Sequence, residues 1–133
     1  MLERKENGEF TDLELDDKEK NYVEAYEEYA EYVHEWAVRK GWWDIEEVHG
    51  GERNDAEMIA LMHSELSEAL EGLRKSLDSE KIPGYLNVEE ELADCIVRIM
   101  DYGSARGLRI GEALVVKQRF NEKRPYRHGN KKY

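Results

Sequence analysis

Two pairs of acidic residues have the spacing needed for metal chemistry. Glu65 and Glu68 form the first pair, and Glu91 and Asp94 form the second. Residues three apart on a helix are surface neighbours, so each pair can present two carboxylates to one ion. Carboxylate oxygens without a nearby thiolate are hard ligands that suit Mg²⁺ or Mn²⁺. The four acids therefore predict a divalent-metal site, provided that their two helices face each other.

The same residues are also compatible with an ordinary solvated surface, because the chain contains 31 Asp and Glu residues. A helical wheel places Glu65 at the margin of an apolar arc made by Met62, Leu66, Ala69 and Leu73. Asp94 points almost opposite the apolar arc of its own helix, which is made by Leu92, Ile96 and Ile99. The metal interpretation requires that helix to pack through Ala93 and Val97 instead. His63 lies off the acidic face and is interpreted as a packing or hydrogen-bonding histidine.

Helical periodicity and capping residues predict four helices and no strands. The first begins after Asp16 or Asp17 and ends at Lys40, and the second begins at a cap formed by Asn54 or Asp55 and ends near Ser76. The third is capped by Asn87 and ends near Gly103 or Gly107, and the fourth runs from about Ile110 to Lys123, before Pro125. This pattern predicts an all-α fold, a small four-helix bundle. One face of the first helix is rich in aromatic residues, which favours a core or a subunit interface completed by oligomerisation: Tyr22, Tyr26, Tyr29, Val33, Trp36 and Ala37.

Composition and charge exclude several classes of protein. The chain has 133 residues and a net charge of −11, which disfavours nucleic-acid binding, since phosphate backbones attract basic surfaces. It lacks both a membrane-spanning apolar run and a signal-like start, so no membrane partner is expected. A single cysteine, Cys95, favours a reducing, cytoplasmic setting. We predict an acidic extension (residues 1–15), one helical domain (residues 16–126) and a basic tail (residues 127–133).

Two segments of the sequence resemble a known family. IALMHSELSEALEGLRK, followed by KIPGYLNVEEELADCIVRIMDYG, is similar to the MazG-type all-α nucleoside triphosphate pyrophosphohydrolases. Their signature is Glu-x-x-Glu, a variable spacer and Glu-x-x-Asp, and here 22 residues separate Glu68 from Glu91. The segment KQRFNEKRPYRHGNKK resembles the end of the same family. The resemblance covers residues 41–132.

The resemblance implies a homodimeric or homotetrameric enzyme that cleaves a (d)NTP between its α and β phosphates. Its matching acids, Glu65, Glu68, Glu91 and Asp94, would hold Mg²⁺ or Mn²⁺, with Glu65 or Glu68 as the general base. The resemblance also implies phosphate binding by three residues that share one face of the fourth helix: Lys117, Asn121 and Arg124. Asp101 matches an acid that is common in relatives and would lie in the outer shell of the metal.

Aromatic residues and amides near the cleft would recognise the base, and the candidates are Trp43, His49 and Tyr102, with Trp42 beside them. Two alternatives remain open. The first is a pyrophosphohydrolase of another nucleotide, such as phosphoribosyl-ATP. The second is a non-catalytic, acidic helical interaction module whose acid pairs are solvated.

Overall fold

The computed structural model describes residues 14–44 and 53–133. These ranges form five helices: α1 Asp17–Arg39, α2 Asp55–Arg74, α3 Asn87–Ala105, α4 Ile110–Glu122 and the short α5 Arg127–Asn130. The described residues contain no strand, and only an isolated antiparallel bridge joins Asp78 to Leu86. The predicted all-α class is therefore confirmed, and the four long helices correspond to the four expected. Most of the predicted extension, residues 1–13, lies outside the described ranges.

The helix starts follow from local capping chemistry. The Asp16 carboxylate accepts the Glu19 backbone N–H at 2.8 Å, and the Glu19 carboxylate accepts the Asp16 N–H at 3.0 Å. This reciprocal arrangement satisfies two backbone donors that a helix start leaves unpaired. At the start of α2, the Asn54 side chain accepts the Glu57 N–H at 3.1 Å. Both predicted N-termini are confirmed.

The start of α3 differs from the prediction that Asn87 caps it. Leu86 occupies the N-cap position, and the Glu89 carboxylate accepts its backbone N–H at 2.7 Å. The Asn87 backbone N–H instead donates to the Leu77 carbonyl at 3.0 Å, which holds the connector against the end of α2. The Asn87 side-chain amide faces into the structure and donates to Glu91 at 3.3 Å. The connector therefore determines where α3 begins.

Helices α2 and α3 pack as an antiparallel pair, and α1 lies antiparallel to α3. The core between α2 and α3 contains Met58, Met62, Cys95 and Tyr102. The C-terminal half of α1 packs on α3, while its N-terminal half packs on α4. Helices α3 and α4 therefore follow one another along α1, which is about 34 Å long at 1.5 Å per residue. No helix in the described part of the chain has an apolar stretch long enough to cross a bilayer.

Contacts near both ends of α4 attach it to α1. The Glu27 carboxylate accepts the Gly111 backbone N–H at 2.9 Å, and Arg119 forms a two-bond ion pair with Glu19. Gly111 allows this approach, because a Cβ there would lie 3.0 Å from both the Tyr26 ring and the Glu27 carboxylate. The position of α4 is thus set mainly by α1, and the Ile110 side chain at its start also packs against Gly103 of α3.

The predicted apolar arcs are only partly buried. Helix α1 buries Ala30, Val33 and Ala37, but Tyr22 and Tyr29 of its aromatic face are exposed. Four residues of the apolar arcs on α2 and α3 are about half exposed: Leu66, Leu73, Leu92 and Ile96. These arcs are not the faces that meet, because α2 and α3 pack through faces turned about 100° from them.

Candidate functional site

Three of the four predicted metal ligands meet between α2 and α3. One carboxylate oxygen each from Glu65, Glu91 and Asp94 lies within 4.8 Å of the others. Glu65 and Glu91 are buried, and Asp94 is half-buried. The antiparallel packing places the middle of α2 opposite the first half of α3, and α3 turns its acidic side towards α2. Of the packing residues predicted for this rotation, Val97 is half-buried and Ala93 is exposed.

The fourth acid, Glu68, lies at the exposed margin of this cluster. It contributes to the raised pKa of Glu91 and also acts on the pKa of Glu65. Because Glu68 is one helical turn from Glu65, it can approach the same ion from the solvent side. The structure thus brings Glu65, Glu91 and Asp94 into one cluster and leaves Glu68 beside it.

Burial and mutual repulsion perturb the acids of the cluster unequally. Burial, followed by contact with Glu68 and Glu65, raises the pKa of Glu91 to about 7. Burial and the charge of Glu65 raise the pKa of Asp94. Burial also acts to raise the pKa of Glu65, but the Arg98 hydrogen bond and charge outweigh it and lower that pKa. Near neutral pH, the metal-free cluster therefore retains a proton that a bound cation would displace.

Arg98 is the ion-pair partner of Glu65, the acid of the cluster whose pKa is lowered. Its Nε donates to Glu65 Oε1 at 2.7 Å, and its side chain is 36% exposed, so the guanidinium also reaches solvent. Arg98 is not among the candidate residues predicted from the sequence. Its spacing of four residues from Asp94 and seven from Glu91 was the available signal, since this spacing places it on the same helical face.

A cleft of about 360 Å³ opens beside the acids, between the end of α1 and the middle of α3. This volume lies within the range typical of small-molecule sites. The lining combines acids, cations and two indole rings: Trp36, Ala37, Trp42, Arg53, Glu65, Lys81, Asp94, Val97, Arg98 and Asp101. Arg53, Lys81 and Arg98 are therefore the cations that the structure places nearest to the acids. None of these three was selected from the sequence.

Asp101 connects the end of α1 to α3 at the inner wall of this cleft. Its Oδ1 accepts the Trp43 indole N–H at 3.0 Å and lies 2.8 Å from His34 Nδ1. Its Oδ2 lies 3.8 Å from the Arg53 guanidinium. Asp101 therefore holds the His34, Trp43 and Arg53 side chains together at the cleft wall. Its role in the outer shell of a metal stays a prediction.

The predicted base-contact residues occupy different environments. Guanidinium groups of Arg53 and Arg106 lie 5.1 and 5.6 Å from the centre of the Trp43 ring, so cations flank this indole. Tyr102 is buried in the core and does not line the cleft. His49 lies outside the described residues. Trp42, which is 59% exposed, presents the most accessible ring in the cleft.

The predicted phosphate-binding residues of α4 are not brought to the acids within one chain. Lys117 and Asn121 lie on α4, and Arg124 follows two residues after the end of that helix. Helix α4 packs along the N-terminal half of α1, whereas the cleft adjoins the C-terminal end of α1. Lys117 Nζ lies 4.4 Å from the centre of the Phe120 ring, and the Arg124 guanidinium lies 5.9 Å from it. Their phosphate-binding role stays a prediction.

No known protein-family model, curated protein or solved structure matches this chain. The described residues form an all-helical fold with a largely buried carboxylate cluster beside a cleft lined by cations and indoles.

Proposed function

We propose that the protein is a Mg²⁺-dependent nucleotide pyrophosphohydrolase that cleaves a (d)NTP between its α and β phosphates, releasing NMP and pyrophosphate. The observation that carries the proposal is the convergence of Glu65, Glu91 and Asp94 within 4.8 Å beside a cleft that also contains cations. The Glu-x-x-Glu and Glu-x-x-Asp signature supports the same reaction. The single, buried cysteine supports the cytoplasmic setting proposed with it.

The donor set fits a hard divalent cation. Three carboxylates share one small volume, and burial followed by the neighbouring carboxylates raises the pKa values of Glu91 and Asp94. Glu65, Glu91 and Asp94 would hold the ion, with Glu68 as the fourth ligand. Bound Mg²⁺ or Mn²⁺ would polarise phosphate oxygens and lower the pKa of a coordinated water.

The remaining cleft residues provide substrate binding and proton transfer. Arg53, Lys81 and Arg98 bind phosphate oxygens, since charge-assisted contacts to phosphate are the strongest polar contacts available there. The accessible Trp42 ring offers a surface on which a base stacks. Glu68, exposed at the margin of the cluster, accepts the proton of the attacking water, and Glu65 is the second candidate for this role.

One observation favours the alternative of a non-catalytic interaction module. The Arg98–Glu65 ion pair at 2.7 Å neutralises part of the acidic cluster without any metal. In this alternative, the cluster contributes only to the packing of α2 against α3.

Pyrophosphate release from a panel of NTPs, dNTPs and phosphoribosyl-ATP tests the proposal. We expect Mg²⁺-dependent release from at least one of them, and Glu68→Gln and Asp94→Asn each abolish it while helix content is retained. Glu71→Gln is the matched control, because Glu71 lies on α2 and pairs with Lys75, away from the cluster. Failure of the whole panel, together with no thermal shift in Mg²⁺ or Mn²⁺, favours the interaction module.

A further inference from the structure

Arg98 supplies positive charge to the acidic cluster from within the chain. Its Nε donates to Glu65 Oε1 at 2.7 Å, and the Glu65 side chain is only 10% exposed. A buried carboxylate that loses its guanidinium partner is strongly destabilising unless another cation replaces it. Glu65 is also one of the three acids whose oxygens lie within 4.8 Å of one another. Arg98 and a metal ion would therefore neutralise the same carboxylate.

The Arg98 guanidinium has room to leave this position. The side chain is 36% exposed and lines the cleft of about 360 Å³, so the group already borders open space. Within the described ranges, Glu65 is the only acceptor at hydrogen-bonding distance from the Arg98 guanidinium. Movement of Arg98 into the cleft therefore breaks one charge-assisted contact and leaves the long apolar stem of the side chain on α3.

Arg53, the second arginine of the cleft, is held by different contacts. Its side chain is 13% exposed, and its guanidinium lies 3.8 Å from Asp101 Oδ2 and 5.1 Å from the centre of the Trp43 ring. Its backbone carbonyl accepts the Arg106 guanidinium at 2.9 Å. None of these contacts is made to an acid of the cluster. A metal ion in the cluster would therefore displace Arg98 and leave Arg53 in place.

A dication in the cluster would repel the guanidinium that is already there. Mg²⁺ binds carboxylate oxygens at about 2.1 Å, so an ion on Glu65 would lie on the order of 5 Å from the Arg98 guanidinium. Coulomb repulsion at this distance is strong, because the partly buried surroundings screen charge less than water does. Glu65 therefore binds either cation well and both of them poorly.

We propose that Arg98 is a displaceable counter-ion of the acidic cluster, which a divalent cation releases from Glu65 into the cleft, where the freed guanidinium binds a phosphate oxygen. This role rests on the metal site of the proposed function, because it requires a divalent cation on the carboxylates. Metal and anion then bind cooperatively, since each of them favours the state in which Arg98 has left Glu65.

NMR of the wild-type protein tests the displacement directly. The Arg98 Nε–H, assigned by its absence from the spectrum of Arg98→Lys, exchanges slowly with water while it is bonded to the buried Glu65 carboxylate. Saturating Mg²⁺ accelerates this exchange by on the order of 10-fold or more, because the protecting bond is broken. The Arg119 Nε–H is the internal control, since it donates to Glu19 at 2.7 Å, away from the cluster, and its exchange does not change. Slow exchange of the Arg98 Nε–H in saturating Mg²⁺ overturns the proposal.

Metal affinity tests the competition between the two cations. Calorimetric titration with Mn²⁺ at about pH 8, above the pKa of about 7 of Glu91, limits the contribution of proton release. Arg98→Gln binds Mn²⁺ more tightly than the wild type by on the order of 10-fold, since no guanidinium has to be displaced. Arg74→Gln is the matched control with unchanged Kd, because Arg74 is 72% exposed and pairs with Glu71. Equal or weaker Mn²⁺ binding in Arg98→Gln overturns the counter-ion role.

These measurements separate the role of Arg98 from the proposed reaction. A wild type that binds metal and cleaves a nucleotide while Arg98 keeps its bond to Glu65 overturns the displacement alone. Release of Arg98 by Mg²⁺ in a protein that cleaves no nucleotide supports the counter-ion role and contradicts the proposed hydrolysis. Absence of Mg²⁺ and Mn²⁺ binding in both the wild type and Arg98→Gln overturns the metal site, and the two proposals fail together.

Discussion

At the scale of single residues, the acids of the cluster differ in their pKa values and therefore in their ionisation. Arg98 keeps Glu65 ionised, whereas Glu91, with a pKa of about 7, is largely protonated at slightly acidic pH. A dication that replaces this proton adds the positive charge that the buried carboxylates lack. Binding of the proposed metal would therefore be coupled to proton release at this site.

The raised pKa of Glu91 predicts a pH dependence of stability in the absence of metal. The folded-state pKa of about 7 exceeds the ordinary glutamate value of 4.5, so the folded protein binds an extra proton between these two pH values. Stability consequently falls as pH rises from about 5 to 7.5, and the loss is complete above the folded pKa. Glu91→Gln flattens this slope and raises Tm at pH 7.5. Thermal melts in EDTA measure both effects, and an unchanged slope in this variant contradicts the assignment.

Metal binding should stabilise the wild-type protein at neutral pH. Saturation with Mg²⁺ at about 100 times its Kd raises the free energy of unfolding by about 2.7 kcal/mol, because the ion binds only the folded cluster. Asp94→Asn removes one ligand charge and greatly reduces this gain, while Glu71→Gln retains it. Differential scanning calorimetry with and without Mg²⁺ measures the difference. Equal gains in the wild type and Asp94→Asn would exclude Asp94 as a ligand.

At the scale of elements, the connector between α2 and α3 orders one wall of the cleft. The Ser79 hydroxyl donates to the buried Glu90 carboxylate at 2.7 Å and accepts the Ile82 backbone N–H at 3.1 Å. Lys81 Nζ lies 3.6 Å from the same Glu90 carboxylate, and the nearby acids raise its pKa, Glu90 first and Asp94 next. The connector therefore holds a charged amine at the cleft although its side chain is 79% exposed.

Lys81 gives the connector a testable role in substrate binding. We expect Lys81→Ala to lower kcat/KM by on the order of 10- to 100-fold through loss of a charge-assisted phosphate contact. Tm changes little, because the side chain is mainly solvated. Lys75→Ala is the control, since Lys75 is also exposed and pairs with Glu71 outside the cleft. A loss of the same size in both variants would indicate a general charge effect rather than a contact of Lys81.

At the scale of the whole molecule, the net charge of the chain opposes the charge of the proposed substrate. The chain carries −11, and the proposed substrate is a polyanion. The cations of the cleft must therefore attract this substrate against the net charge of the protein. Ionic strength weakens both the local attraction and the overall repulsion.

Salt dependence shows which of these two effects is larger. Raising NaCl from about 20 to 300 mM raises KM, since it screens the contacts between cleft cations and phosphates. Steady-state kinetics with the proposed substrate measure this trend. A KM that falls as salt increases would show that repulsion by the net charge outweighs those contacts.

The sequence by itself determined where the long helices lie and which acidic residues form the candidate site. Helical periodicity and the capping residues Asp16 and Asn54 act within a few residues, so the starts of α1 and α2 are local properties. The spacings of Glu65 from Glu68 and of Glu91 from Asp94 are also local, and they selected the acids that meet in the structure.

Only the tertiary structure decided which helical faces meet. Helix α3 carries both an apolar arc and an acidic side, and backbone hydrogen bonds are identical whichever side turns inwards. Its rotation, which depends on packing against α1 and α2 together, exposed Leu92 and brought Asp94 to Glu65. The same packing brought Arg53 and Lys81 to the cleft, because contacts between residues distant in the chain depend on how the helices cross and rotate. Periodicity within one helix carries no information about those two variables.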